Sequence, residues 1–135
     1  MHLILDLTSP EPLYLQIRDR LVEAIADGRL QPGDQLPSAR RLAAEFAVNL
    51  HTVLKAYALL EVEGLVHMGR GQRAIVLPRP ADDDFRQNWE KRLVTLLAEA
   101  RARRVPRAEI ERTVRTVLDG LNAAPGRVPE GGVSS

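Results

Sequence analysis

The chain has 135 residues, a length that suits one ordinary domain or a small one with an appendage. Its 44% hydrophobic and 27% charged content is that of a globular protein, and the absence of cysteine excludes disulfide and thiolate chemistry and fits a reducing compartment. No apolar run approaches the roughly 20 residues that a bilayer span needs, and the opening MHLILDLTSP lacks the basic flank of a signal peptide, so a cytoplasmic location without membrane contact is expected.

Residues 1–12 read as a lead-in. Leu3, Ile4 and Leu5 can form a short edge strand or pack against the first helix. Ser9-Pro10-Glu11-Pro12 is a turn, because each proline stiffens the backbone and removes a donor. A helix is predicted from Leu13 to Asp27, with Leu13, Ile17, Leu21 and Ile25 recurring every fourth residue beside Tyr14, Val22 and Ala24. Gly28 stops it. Leu30-Gln31-Pro32-Gly33-Asp34 is a loop, and Gln35-Leu36 can add a brief strand to the ribbon that follows later.

The stretch from Leu36 to Val76 carries the strongest pattern. Ser38 is a good N-cap for a helix presenting Leu42, Ala43 and Phe46. Ala47-Val48-Asn49 is a tight turn, and Asn49 caps a second helix that carries Val53, Ala56, Tyr57 and Leu60 and ends at Gly64, a residue suited to the left-handed C′ position. Tyr57 is read as core, with its hydroxyl at the rim. Leu65-Val66-His67, the turn Met68-Gly69-Arg70-Gly71 and Ala74-Ile75-Val76 complete a two-stranded ribbon. Two helices across a short turn, then a ribbon, make a winged helix-turn-helix, whose second helix enters a DNA major groove.

Pro78-Arg79-Pro80 is a stiff spacer. Asp82, Asp83 and Asp84 start a further helix and complement its dipole. Phe85, Trp89, Leu93, Leu96, Leu97 and Ala100 form its apolar stripe, and Val105-Pro106 ends it. A last helix from Arg107 to Asn122 carries Ile110, Val114, Val117, Leu118 and Leu121 on one side. Ala124–Ser135, rich in Gly, Pro and Ser, is expected to be disordered. Such a hairpin is too small for a core of its own. Two copies would close both stripes into a four-helix bundle, so these residues are the expected dimer interface.

Charge supports a nucleic-acid face more by distribution than by the net value of +1. From Leu36 to Pro80 six basic residues (Arg40, Arg41, Lys55, Arg70, Arg73, Arg79) face three acidic ones, whereas residues 1–35 hold three basic and six acidic. Leu50, His51 and Thr52 form the first turn of the recognition helix, where base edges are read. Lys55 is placed for a phosphate. Gly69 and Gly71 let the wing tip turn tightly, Arg70 can enter a minor groove, and Arg73 adds a phosphate contact. Enzyme chemistry finds little footing. The histidines are His2, His51 and His67, without metal-ligand spacing, and no phosphate-cradling loop or nucleophile elbow is present. No catalytic residue, metal or cofactor is assigned.

Pro12-Leu13-Tyr14, Gln16-Ile17, the run from Gly28 to Ser38, Arg40, Leu42-Ala43, Val48-Asn49, Thr52-Val53, Ala56-Tyr57, Leu60, Glu63-Gly64-Leu65 and Gly69-Arg70-Gly71 resemble, in order and spacing, the GntR family of bacterial transcription regulators. The resemblance covers roughly residues 10–77. The Pro-Leu-Tyr start, the Val-Asn-x-x-Thr-Val turn and the short C-terminal hairpin are similar to the YtrA subfamily of small dimeric repressors, often of operons for ABC-type transporters. It implies a DNA contact for Arg40, with Arg41 adjacent. Leu50 and Leu54 depart from the pattern, since many relatives carry arginine or another residue at the first position and some branches an arginine at the second. Base reading would then lean on His51, on apolar contact of Leu50 with a thymine methyl, and on the wing.

The expected fold is mainly α with a small β-wing. A winged helix-turn-helix domain spans 1–78, a helical dimerisation hairpin 79–123 and a flexible tail 124–135. The expected activity is that of a homodimeric repressor on a pseudo-palindromic double-stranded DNA operator, released by a small-molecule effector. A winged-helix protein–protein adaptor is the alternative. It would have no need of Arg40, Lys55 and Arg70 on one face.

Overall fold

The computed structural model describes residues 3–69 and 73–122. They fall into two units, one extending to Arg79 and the other beginning at Pro80.

In the first unit, helix α1 spans Leu13–Ala26. Pro12 precedes it, and the Pro12 carbonyl accepts from the N–H groups of Leu15 and Gln16. Asp27 is its C-cap and Gly28 follows at φ +86°, a conformation open to glycine because it has no Cβ. Helix α2 spans Ala39–Phe46, and the Ser38 hydroxyl accepts from the Arg41 N–H at 3.1 Å. Helix α3 spans Leu50–Val62, and the Asn49 side chain accepts from the His51 N–H at 2.7 Å. Both caps fall on the residues the sequence nominated. The turn between these helices passes through Ala47 at φ +53°, a left-handed conformation that costs an alanine about 1–2 kcal/mol.

The three helices enclose one core. Ile17, Leu21 and Ala24 of α1 meet Leu42 and Ala43 of α2 and Val53, Ala56, Tyr57 and Leu60 of α3, all buried. Strands β1 (Val66–Met68) and β2 (Ala74–Val76) close its side with buried Val66, Ala74 and Val76. The first strand lies one residue later than the pattern suggested. The pair is antiparallel, with Val66 opposite Val76 and Met68 opposite Ala74. The expected third segment is present as a bridge between Gln35 and Ile75. It is extended by bonds from the Leu36 N–H to the Ala74 carbonyl at 2.8 Å and from the Val76 N–H to the Asp34 carbonyl at 2.9 Å.

Residues 3–6 form no strand. Of the two options for the lead-in, packing is the one adopted: Leu3 is buried and Leu5 packs against the core, whereas Ile4 is 82% exposed. Gln16, buried in α1, holds this segment. Its amide oxygen accepts from the Asp6 N–H at 2.8 Å, and its nitrogen donates to the carbonyls of Asp6 (2.9 Å) and Glu11 (3.1 Å).

In the second unit, α4 spans Asp83–Ala102 and α5 spans Arg107–Asn122. Asp82 caps α4, accepting from the Phe85 N–H at 2.8 Å. Arg104 turns the chain at φ +65°, and the Arg101 guanidinium donates to the Val105 carbonyl at 3.1 Å. No residue of α4 is fully buried. Trp89 is 49% exposed and Leu118 54%, as a hairpin without a covering layer requires. The expected disordered tail lies outside the described residues.

Candidate nucleic-acid interface

Helix α2 places Arg40 and Arg41 in its first turn, both exposed. The Asn49 cap starts α3 so that His51 and Lys55 point to solvent, with Thr52 half-buried between them. Asn49 itself is committed to the cap through its side-chain oxygen. Leu50 and Leu54 are partly buried and pack against the core. Their apolar character therefore serves packing, and Leu50 keeps only part of its surface for a ligand.

Electrostatics divides the cations of this unit into two sets. On α1, Arg18 pairs with Asp19 and Glu63 at 2.9 Å each, and Arg20 pairs with Glu23 at 2.6 Å. Just beyond the helix, Arg29 pairs with Asp27 at 2.9 Å. Burial disfavours the charge on Arg18, but hydrogen bonds to Glu63 and Asp19 outweigh it, so its guanidinium is held protonated more firmly than usual. Among the described residues, no carboxylate pairs with Arg40, Arg41, Lys55 or Arg73. The Lys55 ammonium instead lies 4.1 Å from the centroid of the Tyr14 ring. A count of charges along the sequence sees the basic excess, but not that the cations of α1 are already neutralised.

Lys55 and Tyr14 border a shallow cleft whose remaining lining is Leu13, Asn49, His51 and Thr52. No carboxylate lines it, and Tyr14, Asn49, His51, Thr52 and Lys55 each carry a side-chain donor. Tyr14 was legible from sequence only as part of the α1 stripe. Its partner on α3 is remote in the chain, and no local pattern marks it.

The described part of the wing ends at Gly69 and resumes at Arg73. Gly69 does not adopt a positive φ, and a Cβ there would lie 3.7 Å from the Arg73 carbonyl oxygen, an ordinary contact. At Gly69 itself the backbone therefore does not require a glycine. Its N–H donates to that same Arg73 carbonyl at 2.7 Å and closes the ribbon, while the Arg73 side chain is exposed. Arg70 and Gly71 lie outside the described residues.

The residues expected at a dimer interface lie along the hairpin. Phe85, Trp89, Leu96, Val114, Val117 and Leu118 are exposed, and Leu93, Leu97, Ile110 and Leu121 are half-buried. Val94, which the stripe did not include, is 61% exposed.

The model for bacterial regulatory proteins of the gntR family matches residues 13–76. The chain is 43% identical over 68 residues to the HTH-type transcriptional repressor YtrA of Bacillus subtilis (strain 168), a match covering 50% of this chain and 52% of that protein. It spans about half the length of the curated relatives it matches first. Among solved structures, YtrA from Sulfolobus acidocaldarius, a GntR-family transcription factor, is 36% identical with a TM-score of 0.55, covering 90% of this chain and all of that one. AraR(DBD) in complex with operator ORX1 is 27% identical with a TM-score of 0.51, covering 56% of this chain and 98% of that one.

Proposed function

The chain belongs to the gntR family of bacterial regulatory proteins, and we propose that within it this protein is a homodimeric repressor binding a pseudo-palindromic operator. The observation that carries the reading is the set of exposed cations without carboxylate partners among the described residues, Arg40 and Arg41 in the first turn of α2 and Lys55 on α3. Neutralised cations such as Arg18 release no counterions from DNA. Free ones do, and supply most of the affinity for a phosphate backbone.

In this reading the first turn of α3 enters a major groove. His51 and Thr52 meet base edges, Arg40 and Lys55 contact phosphates, and the wing residues Arg70 and Arg73 follow the adjacent minor groove and backbone. Winged domains 1–78 act in pairs because the stripes of 79–123 bury each other in a bundle. Half-sites then lie about one helical turn, roughly 10 base pairs, apart. Repression is steric, through covered promoter DNA, and a small-molecule effector that alters the angle between the two winged domains releases it. The resemblance to YtrA points to a transporter operon as the target.

Selection of duplexes from a random pool by the full chain tests this. The expected product is a family of two-fold related half-sites bound by two chains per duplex. A pool that shows no enrichment, with binding indifferent to Arg40→Ala, overturns the repressor and favours a protein–protein adaptor.

A further inference from the structure

A lysine reaching for a phosphate carries its charge on a long flexible stem, and ordering that stem weakens the contact it makes. Lys55 already lies against a partner. Its ammonium rests 4.1 Å from the centroid of the Tyr14 ring, across the interface between α1 and α3. A carboxylate in that place would hold the lysine and cancel its charge. An aromatic face holds it by its quadrupole and leaves the charge in place. The cleft on which the pair borders contains Asn49, His51 and Thr52 and no carboxylate, so an anion entering it meets nothing repulsive among its lining residues.

We infer that Tyr14 is a positioning residue for DNA binding: its ring presents the Lys55 ammonium, pre-ordered and un-neutralised, to one backbone phosphate at the mouth of this cleft. The inference rests on the DNA-binding reading and adds to it a residue of α1 outside the helix-turn-helix. The hydroxyl of Tyr14 has no part in it. The ring face alone does the work, so phenylalanine can replace tyrosine and leucine cannot.

The experiment is a fluorescence-anisotropy titration of the full chain with a labelled duplex of arbitrary sequence, across a series of salt concentrations. Arbitrary sequence suffices, because a phosphate contact is sequence-independent. Lys55→Gln is expected to reduce the salt slope by about one per bound protomer. Tyr14→Leu is expected to weaken binding about threefold per protomer, within the range of an exposed cation–π contact, and Tyr14→Phe to bind as the parent does. In the Lys55→Gln background Tyr14→Leu is expected to cost nothing further. Equal cost in both backgrounds overturns the inference, as does a Tyr14→Phe protein as weak as Tyr14→Leu. A Tyr14→Leu protein that binds as tightly as the parent, or tighter, also overturns it. A parent chain that binds no duplex removes the DNA reading itself, whereas a parent and Lys55→Gln pair behaving as expected beside a neutral Tyr14→Leu removes only the role of Tyr14. Should Tyr14→Leu fail to fold, NMR of the parent chain decides: the Lys55 ε-methylene protons carry an upfield ring-current shift that Tyr14→Phe retains, and its absence overturns the inference.

Discussion

The Tyr57 hydroxyl donates a 2.6 Å hydrogen bond to the carbonyl of Pro37, across 20 positions of sequence. The bond ties the middle of α3 to the loop that enters α2, so the two helices of the motif share an anchor besides their apolar contact. Tyr57→Phe removes the donor and leaves the Pro37 carbonyl unsatisfied, at an expected cost of about 1–3 kcal/mol. For a domain of this size each kcal/mol lowers the melting temperature by roughly 4–8 °C. Thermal denaturation followed by circular dichroism checks it, and an unchanged midpoint would assign the anchoring to packing alone.

The same residue sets an alkaline limit. Burial pushes the Tyr57 phenol well above its ordinary value of 10.0, because the phenolate would be desolvated in the core. The native state keeps a proton that the unfolded chain gives up above about pH 10, so the stability is fully present below that pH and falls above it. The slope is about 1.4 kcal/mol per pH unit. Urea denaturation between about pH 10 and 11.5 is therefore expected to narrow the gap between the parent and Tyr57→Phe by about 2 kcal/mol. A gap that stays constant over this range contradicts the buried, protonated phenol.

Arg40 and Arg18 give a matched pair of substitutions. Arg40 has no carboxylate partner among the described residues, while Arg18 is bound to Glu63 and Asp19. Arg40→Ala is expected to leave the fold intact, weaken duplex binding and lower the salt slope by about one. Arg18→Ala is expected to keep that slope and to cost stability, by no more than about 1 kcal/mol for so exposed a network. Measuring salt-dependent binding and melting for both proteins separates the roles, and the reverse pattern would move the DNA-binding face to α1.

Leu118 is 54% exposed on α5, so Leu118→Asp places a carboxylate where an isolated chain tolerates it. In a bundle of two hairpins that carboxylate is desolvated without a partner. The dimer dissociation constant is expected to rise at least about a hundredfold, equivalent to about 2.7 kcal/mol. Light scattering across a concentration series reads the change directly. A species of unaltered mass at all concentrations would exclude Leu118 from any interface.

What the sequence made legible was local. Ser38, Asn49, Gly28 and Gly64 announce helix ends because a cap or a left-handed residue acts within a few positions of itself. The stripe Leu13, Ile17, Leu21, Ile25 announces a buried face by its period, although only Ile17 and Leu21 of the four are fully buried. What stayed hidden depends on remote partners or breaks a local rule. Gln16 looks like any polar helix residue, yet it is buried because Asp6 and Glu11 come back to meet it. Lys55 is visible as a cation, but not as one lying over Tyr14. Ala47 gives no sign that it will adopt φ +53°, since the cost is met by the two helices it joins. At the candidate interface the sequence identified the cations, and the fold separated the paired from the unpaired.

The third segment beside the wing has a consequence for association. Bonded to β1 on one side and to Asp34–Leu36 on the other, β2 has no open edge. On β1, the Met68 N–H is taken by the Glu61 carboxylate at 3.1 Å. A short ribbon is ordinarily a template on which another chain can add a strand, and here one edge is covered while the other is partly blunted by a negative charge. The two strands are thereby poor templates for strand-by-strand polymerisation.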